Sequence, residues 1–157
     1  FFFKQKTAYE IYQCDWSSDV CSSDLSDIDD NNIDSAAVNV PKLHSKYVKF
    51  LIQAKLKHTK LQNEFNQLKK IKFRYYRGEL TRDELKELGW DQWQGTKPIK
   101  NEMDQFLSGD VELNNMTIKI EYIGSMIYLL ESIMAQIKSR DWQLRTITDW
   151  KKFIAGA

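Results

Sequence analysis

Apolar residues recur every seven positions along residues 42–77, and this spacing predicts the longest helix of the chain. A repeat of this kind places its members on one side of an α-helix. No Gly or Pro interrupts the stretch, so we predict one helix of roughly 54 Å whose repeat faces protein. This heptad seam consists of Tyr47, Ala54, Leu61, Leu68 and Tyr75, with Leu51, His58 and Phe65 four residues after its first three members.

Turn and capping signals bound this helix and predict two short ones after it. Residues 26–41 carry four Asp and no base and indicate an acidic, weakly ordered lead-in, with Pro41 in the first turn of the long helix. Gly78 is a natural C-terminal stop, and the Thr81-x-x-Glu84 pattern is a capping box that opens a short helix to about residue 88. Helical spacing returns at residues 99–107 and is broken by the Ser-Gly-Asp that follows.

The C-terminal third is the most apolar part of the chain. We predict a helix over roughly residues 112–140 and a final helix over about 141–155, although residues 118–122 alternate like a strand. Two such apolar helices have more surface than one partner helix can cover, which favours self-association over an ordinary intramolecular core, the alternative interpretation. The predicted oligomerisation residues are Ile123, Ile127, Leu130, Met134, Ile137, Leu144, Ile147, Trp150 and Phe153.

Positive charge is concentrated in the long predicted helix. Residues 42–77 contain eleven Lys and Arg and a single acid, Glu64, whereas acids outnumber bases 21 to 12 in the rest of the chain. Such a stretch repels itself, and a polyanion beside it would relieve the repulsion and release counterions. A charge run is also often a solvated face, but solvated helical faces usually mix signs, and this one does not.

Residues 1–25 do not belong to the predicted fold. Their apolar residues follow neither a helical nor a strand period. The segment resembles a translated sequencing-adapter read, which leaves the natural N-terminus undefined. Both cysteines, Cys14 and Cys21, lie there, so the remaining chain supports no disulfide. Residues 26–157 contain two His, no Cys and no catalytic motif, so we predict no metal site, no cofactor and no enzymatic activity. No apolar run reaches the roughly 20 residues of a membrane span. With no targeting segment and no cysteine in residues 26–157, we expect an intracellular protein.

Three sequence blocks resemble the UvsY family of phage recombination mediators. The closing segment IKSRDWQLRTITDWKKFIAG (137–156) is similar to the family's C-terminal block. LKKIKFRYYRG (68–78) is similar to the end of the family's basic helix, and HSKY (44–47), upstream of it, to an aromatic-S-K-W block of the family. The resemblance covers most of residues 42–157 and is weak through 79–110, where this chain has a longer connection.

The resemblance implies a non-enzymatic protein that binds single-stranded DNA and assembles into a homo-oligomeric ring. It implies that the protein loads a RecA-type recombinase onto DNA covered by the phage single-strand-binding protein, in the cytoplasm of the bacterial host. It also implies that the family's two basic DNA contacts fall on Lys70 and Lys72. The second is Arg in the family pattern, so its planar fork is lost here, and Arg74 is placed to compensate.

Single-strand binding without sequence preference needs a cationic track and aromatic faces. The candidate nucleic-acid-binding residues are Lys69, Lys70, Lys72, Arg74, Tyr76 and Arg77. Phe73, Tyr75 and Tyr76 can each be a base platform or a core residue, and Tyr75 lies on the heptad seam, which favours the core. Lys138 and Arg140 form a second phosphate patch or only complement a helix C-terminus.

The sequence therefore predicts an all-α fold in which a long basic helix joins a helical hairpin or bundle and an apolar, ring-forming region. Two other functional classes of protein remain open. A basic coiled-coil module would bind an acidic protein or RNA, and a helix-turn-helix protein would bind duplex DNA, for which the basic helix is too long. The predicted segments are residues 1–25 (foreign), 26–41 (acidic lead-in), 42–110 (basic helix, connecting helices and single-stranded DNA binding) and 111–157 (oligomerisation).

Overall fold

The computed structural model describes residues 33–156, which are largely helical and contain no strand, so the all-α prediction is confirmed. Residues 1–25, predicted to be foreign, and residues 26–32 of the predicted acidic lead-in lie outside this range. The helices are α1 (Ile33–Tyr76), α2 (Arg82–Leu88), α3 (Met103–Ser108) and α4 (Val111–Ile154). The chain divides into two compact units, one of Ser45–Ala135 and one of residues 33–44 with residues 136–156.

Helix α1 begins at Ile33 rather than at residue 42. Asp34 lies in its first turn, where the helix dipole favours an acid, and two alanines follow, which are the best helix formers. Pro41 consequently lies inside the helix and costs it one backbone hydrogen bond. The prediction that residues 33–41 are weakly ordered is therefore wrong, because α1 begins at Ile33 and continues through the proline.

The predicted stop of α1 and start of α2 are both confirmed. Gly78 adopts a left-handed φ of 68°, and its N–H donates to the Tyr75 carbonyl at 2.9 Å. In the capping box that opens α2, the Thr81 N–H donates to Glu84 Oε2 at 2.8 Å. The Glu84 N–H donates in return to Thr81 Oγ1 at 3.3 Å.

The later helices differ from the prediction at their bounds. Helix α3 begins at Met103, and residues 100–102 before it form a turn. Helix α4 is one helix of 44 residues where two were predicted, and it includes the strand-like segment 118–122. Asp141, where the final helix was predicted to begin, lies inside α4 and pairs with Arg145 one turn later at 3.1 Å.

The heptad seam and the apolar face of α4 form the core of the Ser45–Ala135 unit. Tyr47 and Leu130 have no exposed surface. A second cluster at the end of α1 consists of Tyr76, Met103, Leu107 and Leu113, with Phe65, Leu68, Tyr75, Trp93 and Phe106 packed against it. Helix α3 and the connection before it therefore pack against the last turns of α1.

Most predicted oligomerisation residues are core residues of the chain itself. Five are buried, namely Ile123, Leu130, Met134, Ile137 and Leu144. Ile127 and Ile147 are half-buried. Trp150 and Phe153 are 61% and 74% exposed, and their rings stack with centroids 5.9 Å apart. The oligomerisation prediction is thus corrected for the five buried residues, because the chain's own side chains cover them.

Candidate nucleic-acid interface

The predicted nucleic-acid-binding residues at the end of α1 fall into an exposed set and a buried set. Four are exposed, namely Lys69, Lys70, Arg74 and Arg77. We call these four the α1 basic surface. Lys72 and Tyr76 are only 7% and 8% exposed. The prediction that these two present a surface for nucleic acid is corrected, because both side chains are held by partners inside the unit.

Lys72 is enclosed by acids and an aromatic ring. Its Nζ lies 3.0 Å from Asp110 Oδ2 and 3.0 Å from Glu112 Oε2. The same Nζ stands 4.0 Å from the centroid of the Trp90 ring, within cation–π range. A buried cation is stable only when its charge is paired, and here two carboxylates and an indole compensate it.

The heptad seam carries the sequence signal for this burial. Leu51, His58 and Phe65 recur every seven residues, and Lys72 is the next position of that series. The seam faces protein along α1, so its continuation places Lys72 inside the fold as well. The many lysines around Lys72 favoured the prediction that it is exposed. Its acidic partner Asp110 is distant in sequence, so the heptad position of Lys72 was the only local sign of burial.

Asp110 joins the end of α1 to the start of α4. Its Oδ2 accepts a hydrogen bond from the Tyr76 hydroxyl at 2.7 Å, in addition to the contact with Lys72. Its Oδ1 accepts from the backbone N–H groups of Glu112 at 2.9 Å and Leu113 at 3.1 Å. One carboxylate therefore caps the N-terminus of α4 and anchors two side chains of α1.

The network shifts the ionisation of both its acid and its tyrosine. Burial raises the pKa of the Asp110 carboxyl, but hydrogen bonds from Tyr76, the Leu113 N–H and Lys72 outweigh burial and hold this pKa below its ordinary value. Burial, followed by the hydrogen bond to Asp110, raises the pKa of the Tyr76 hydroxyl far above its ordinary value. At neutral pH the pair is therefore a carboxylate and a neutral phenol.

We expect Tyr76→Phe to lower the free energy of unfolding by about 1.5–3 kcal/mol at pH 7, because it removes a buried hydrogen bond to a charged acceptor. The pKa of Tyr76 is raised on folding, so its contribution is complete below pH about 10 and is lost as the pH rises towards the folded pKa. Urea denaturation of both proteins at pH 7, 9 and 10.5 measures this. The gap between them should shrink at the highest pH. Tyr128→Phe, at an exposed position, is the control, and a gap that stays constant with pH would contradict the assignment.

The other aromatic residues at this end of α1 belong to the core. Tyr75 lies with its ring centroid 5.2 Å from that of Trp90, and Tyr76 lies 5.0 Å from Trp93, both edge to face. The connection that carries the two tryptophans thus packs against the last turn of α1. Of the two interpretations open for Tyr75, the structure supports the core residue.

Phe73 points away from this cluster. Its side chain is 38% exposed, and the Arg77 guanidinium carbon lies 5.6 Å from the ring centroid. Lys69 and Lys70 precede Phe73 by four and three residues, and Arg77 follows by four, which places them around it on one face of α1. Three residues of the α1 basic surface, Lys69, Lys70 and Arg77, are therefore neighbours of an exposed aromatic ring.

Two residues of the α1 basic surface are paired with acids. Arg74 Nη2 lies 3.0 Å from Glu84 Oε1, and Arg77 Nε lies 2.8 Å from Glu79 Oε1. The Thr81 N–H, then Arg74, hold the pKa of Glu84 below its ordinary value. Across residues 33–156, Lys69 and Lys70 form no ion pair, so their charges are available to an anion.

Comparison with known proteins assigns the family. The model of the family described as "Recombination, repair and ssDNA binding protein UvsY" matches residues 20–157. The chain belongs to the UvsY family. The family match begins at residue 20 and therefore includes residues 20–25 of the segment predicted to be foreign. No curated protein sequence matches the chain.

Solved structures of the bacteriophage T4 recombination mediator protein UvsY share the fold. One crystal form gives a TM-score of 0.75 at 21% identity, covering 90% of this chain and 96% of the other. Another gives 0.74 at 20% identity, covering 88% and 96%. At this identity the likeness establishes the all-helical fold of the UvsY family for this chain and no residue roles.

The UvsY resemblance placed the family's two basic contacts on Lys70 and Lys72, and the structure exposes only Lys70. Of the second candidate patch, Lys138 is exposed, whereas Arg140 is 7% exposed, which contradicts a phosphate patch that includes both.

The part of the chain described holds no helix long and apolar enough to cross a membrane. Nor do residues 33–156 hold a group of His, Cys, Asp and Glu arranged for a metal ion.

Proposed function

We propose that this UvsY-family chain is a recombination mediator that binds single-stranded DNA through the α1 basic surface. The observation that carries the proposal is the pair Lys69 and Lys70, exposed and without an ion pair among the described residues, in a family described as binding single-stranded DNA. A cationic surface without base-reading side chains suits a protein that holds DNA of any sequence.

The dimensions and charge of the α1 basic surface support contact with a strand backbone. The surface spans the nine residues from Lys69 to Arg77, which directly follows the end of α1, or roughly 12 Å along the helix axis. Lys69 and Lys70 meet phosphate first, since their ammonium groups are unpaired. Arg74 and Arg77 join when phosphate oxygens replace Glu84 and Glu79, because a guanidinium binds either anion with the same fork.

A few phosphate contacts bind weakly, so the proposed protein acts as a homo-oligomeric ring. Several basic surfaces side by side raise the effective concentration for one strand, provided the strand can reach from one to the next. Trp150 and Phe153 form an exposed aromatic pair that supports such assembly. In the host cytoplasm, the ring would hold DNA in a form that favours a RecA-type recombinase over the phage single-strand-binding protein.

Replacing both Lys69 and Lys70 with alanine should weaken single-strand binding about tenfold or more near 0.1 M salt. Fluorescence anisotropy with a labelled oligonucleotide at several salt concentrations measures this. Single strands lose affinity with a slope of about 0.7 per neutralised phosphate, so the double variant should flatten the plot of log affinity against log salt by about 1.4. Lys86→Ala with Lys100→Ala removes the same charge from exposed positions outside α1 and should change little.

The same titration separates the proposal from its alternatives. Binding to duplex as tightly as to single strands, or equal losses in the two double variants, would contradict the proposed site. Wild-type protein that binds neither form of DNA would instead favour a basic module for an acidic protein or RNA.

A further inference from the structure

We infer that Phe73 is a base-stacking residue that gives the α1 basic surface its preference for unpaired DNA. This inference rests on the proposed single-strand site and adds a determinant of specificity to it. Lysine and arginine contacts to phosphate do not distinguish a single strand from a duplex, whereas a stacking platform does. The inference therefore names the aromatic ring beside this surface on which an unpaired base can stack.

The structure leaves Phe73 available for this role and commits its neighbours elsewhere. Tyr76 is buried with its hydroxyl on Asp110, and Tyr75 packs against Trp90. Phe73 is not a member of the core cluster at the end of α1, and 38% of its side chain is exposed. Among the three aromatic residues of the last turn, only Phe73 presents its ring beside unpaired lysines.

The surroundings of the ring fit a nucleotide. A phosphate held by Lys69 or Lys70 places its base within one helical turn of Phe73, since these side chains are neighbours on one helix face. The Arg77 guanidinium, 5.6 Å from the ring centroid, adds a second flat cationic face on which a base can lie.

Duplex DNA cannot use this arrangement. Its bases are already stacked and paired, and only the backbone reaches a convex helix surface, so the phenyl ring adds nothing to duplex binding. An unpaired strand can turn a base outward at little cost and gain the stacking contact. Phe73 should therefore increase affinity for single strands alone.

The test compares full-length wild type, Phe73→Ala and Phe73→Leu on three ligands. These are an oligo(dT) strand, an abasic phosphodiester strand of the same length and charge, and a duplex. Base stacking on one aromatic residue is worth roughly 5-fold or more in affinity, so we expect both variants to lose that factor on oligo(dT). Their affinities for the abasic strand and the duplex, and the salt dependence of binding, should equal those of wild type.

Two further variants keep the outcome unambiguous. Phe73→Trp should bind oligo(dT) as tightly as wild type or more tightly, since it keeps and enlarges the platform. Tyr128→Ala removes an aromatic ring that is 77% exposed on α4 and should change none of the three affinities. Circular dichroism melting verifies that each variant is folded.

Different results overturn the inference and the proposed function. If Lys69→Ala with Lys70→Ala loses single-strand binding but Phe73→Ala does not, the inference about Phe73 is wrong and the proposed function stands. If Phe73→Ala weakens the abasic strand as much as oligo(dT), the ring acts through the helix and not through bases, which also overturns the inference. If wild type does not bind single strands, the proposed function itself fails.

Discussion

Lys72→Ala should lower the free energy of unfolding by about 3–5 kcal/mol, which is the largest loss expected from replacing any single Lys or Arg of α1. The substitution leaves Asp110, whose side chain is 4% exposed, in the interior without its cation. Glu112 loses the same partner but is 38% exposed, so water compensates it in part. Urea denaturation followed by circular dichroism measures the loss.

Lys70→Ala is the matched control, because it removes the same side chain two residues earlier in the same helix. Lys70 is exposed, so its removal should change stability by no more than about 0.5 kcal/mol. Adding Asp110→Asn to Lys72→Ala should recover part of the loss, since the uncompensated charge disappears, and the double-mutant cycle gives the coupling. A Lys72→Ala protein as stable as Lys70→Ala, with weaker DNA binding, would show that Lys72 faces the strand.

Leu130→Ala should lower the free energy of unfolding by about 2–5 kcal/mol, the second large effect. Leu130 has no exposed surface, so its truncation opens a cavity in the Ser45–Ala135 unit. Trp150→Ala should instead leave the unfolding free energy of the monomeric chain nearly unchanged and reduce self-association, because its side chain is 61% exposed. Denaturation and sedimentation velocity, performed on both variants, separate the two effects.

Phe153→Ala, which removes the ring that stacks on Trp150, should behave like the Trp150 variant. The division between core and assembly residues would be wrong if Leu130→Ala dissociated an assembly into folded monomers. It would also be wrong if Trp150→Ala unfolded the chain without changing its sedimentation.

The sequence predicted those parts of the fold whose causes are local. The heptad seam defined the inner face of α1, Gly78 ended it, and the Thr81–Glu84 box started α2, because each signal acts within a few residues. Helix bounds were less predictable. The sequence predicts Pro41 in the first turn of α1, whereas the helix begins eight residues earlier and continues through the proline with the loss of one backbone hydrogen bond.

The candidate site was predictable only in part, because burial of a base depends on partners that are distant in the chain. Asp110 lies 34 positions from Tyr76, and no spacing rule connects an acid there to Lys72 in α1. Exposure of Lys69 and Lys70 agrees with the predicted surface, and DNA contact by them stays a prediction. The sequence left Phe73, Tyr75 and Tyr76 equivalent as candidate base platforms, and only the packing of Tyr75 and Tyr76 into the core distinguishes Phe73 from them.

The carboxylate of Asp110 also affects how the end of α1 moves. Helix ends ordinarily fray, because their last turns lack backbone partners and open independently of the helix body. Here the last turn of α1 and the first turn of α4 share one carboxylate, so neither can open without breaking bonds of the other. The turn that carries Phe73 and Arg77 is therefore held in helical form before any ligand arrives. A strand bound there as proposed would lose little affinity to ordering the protein.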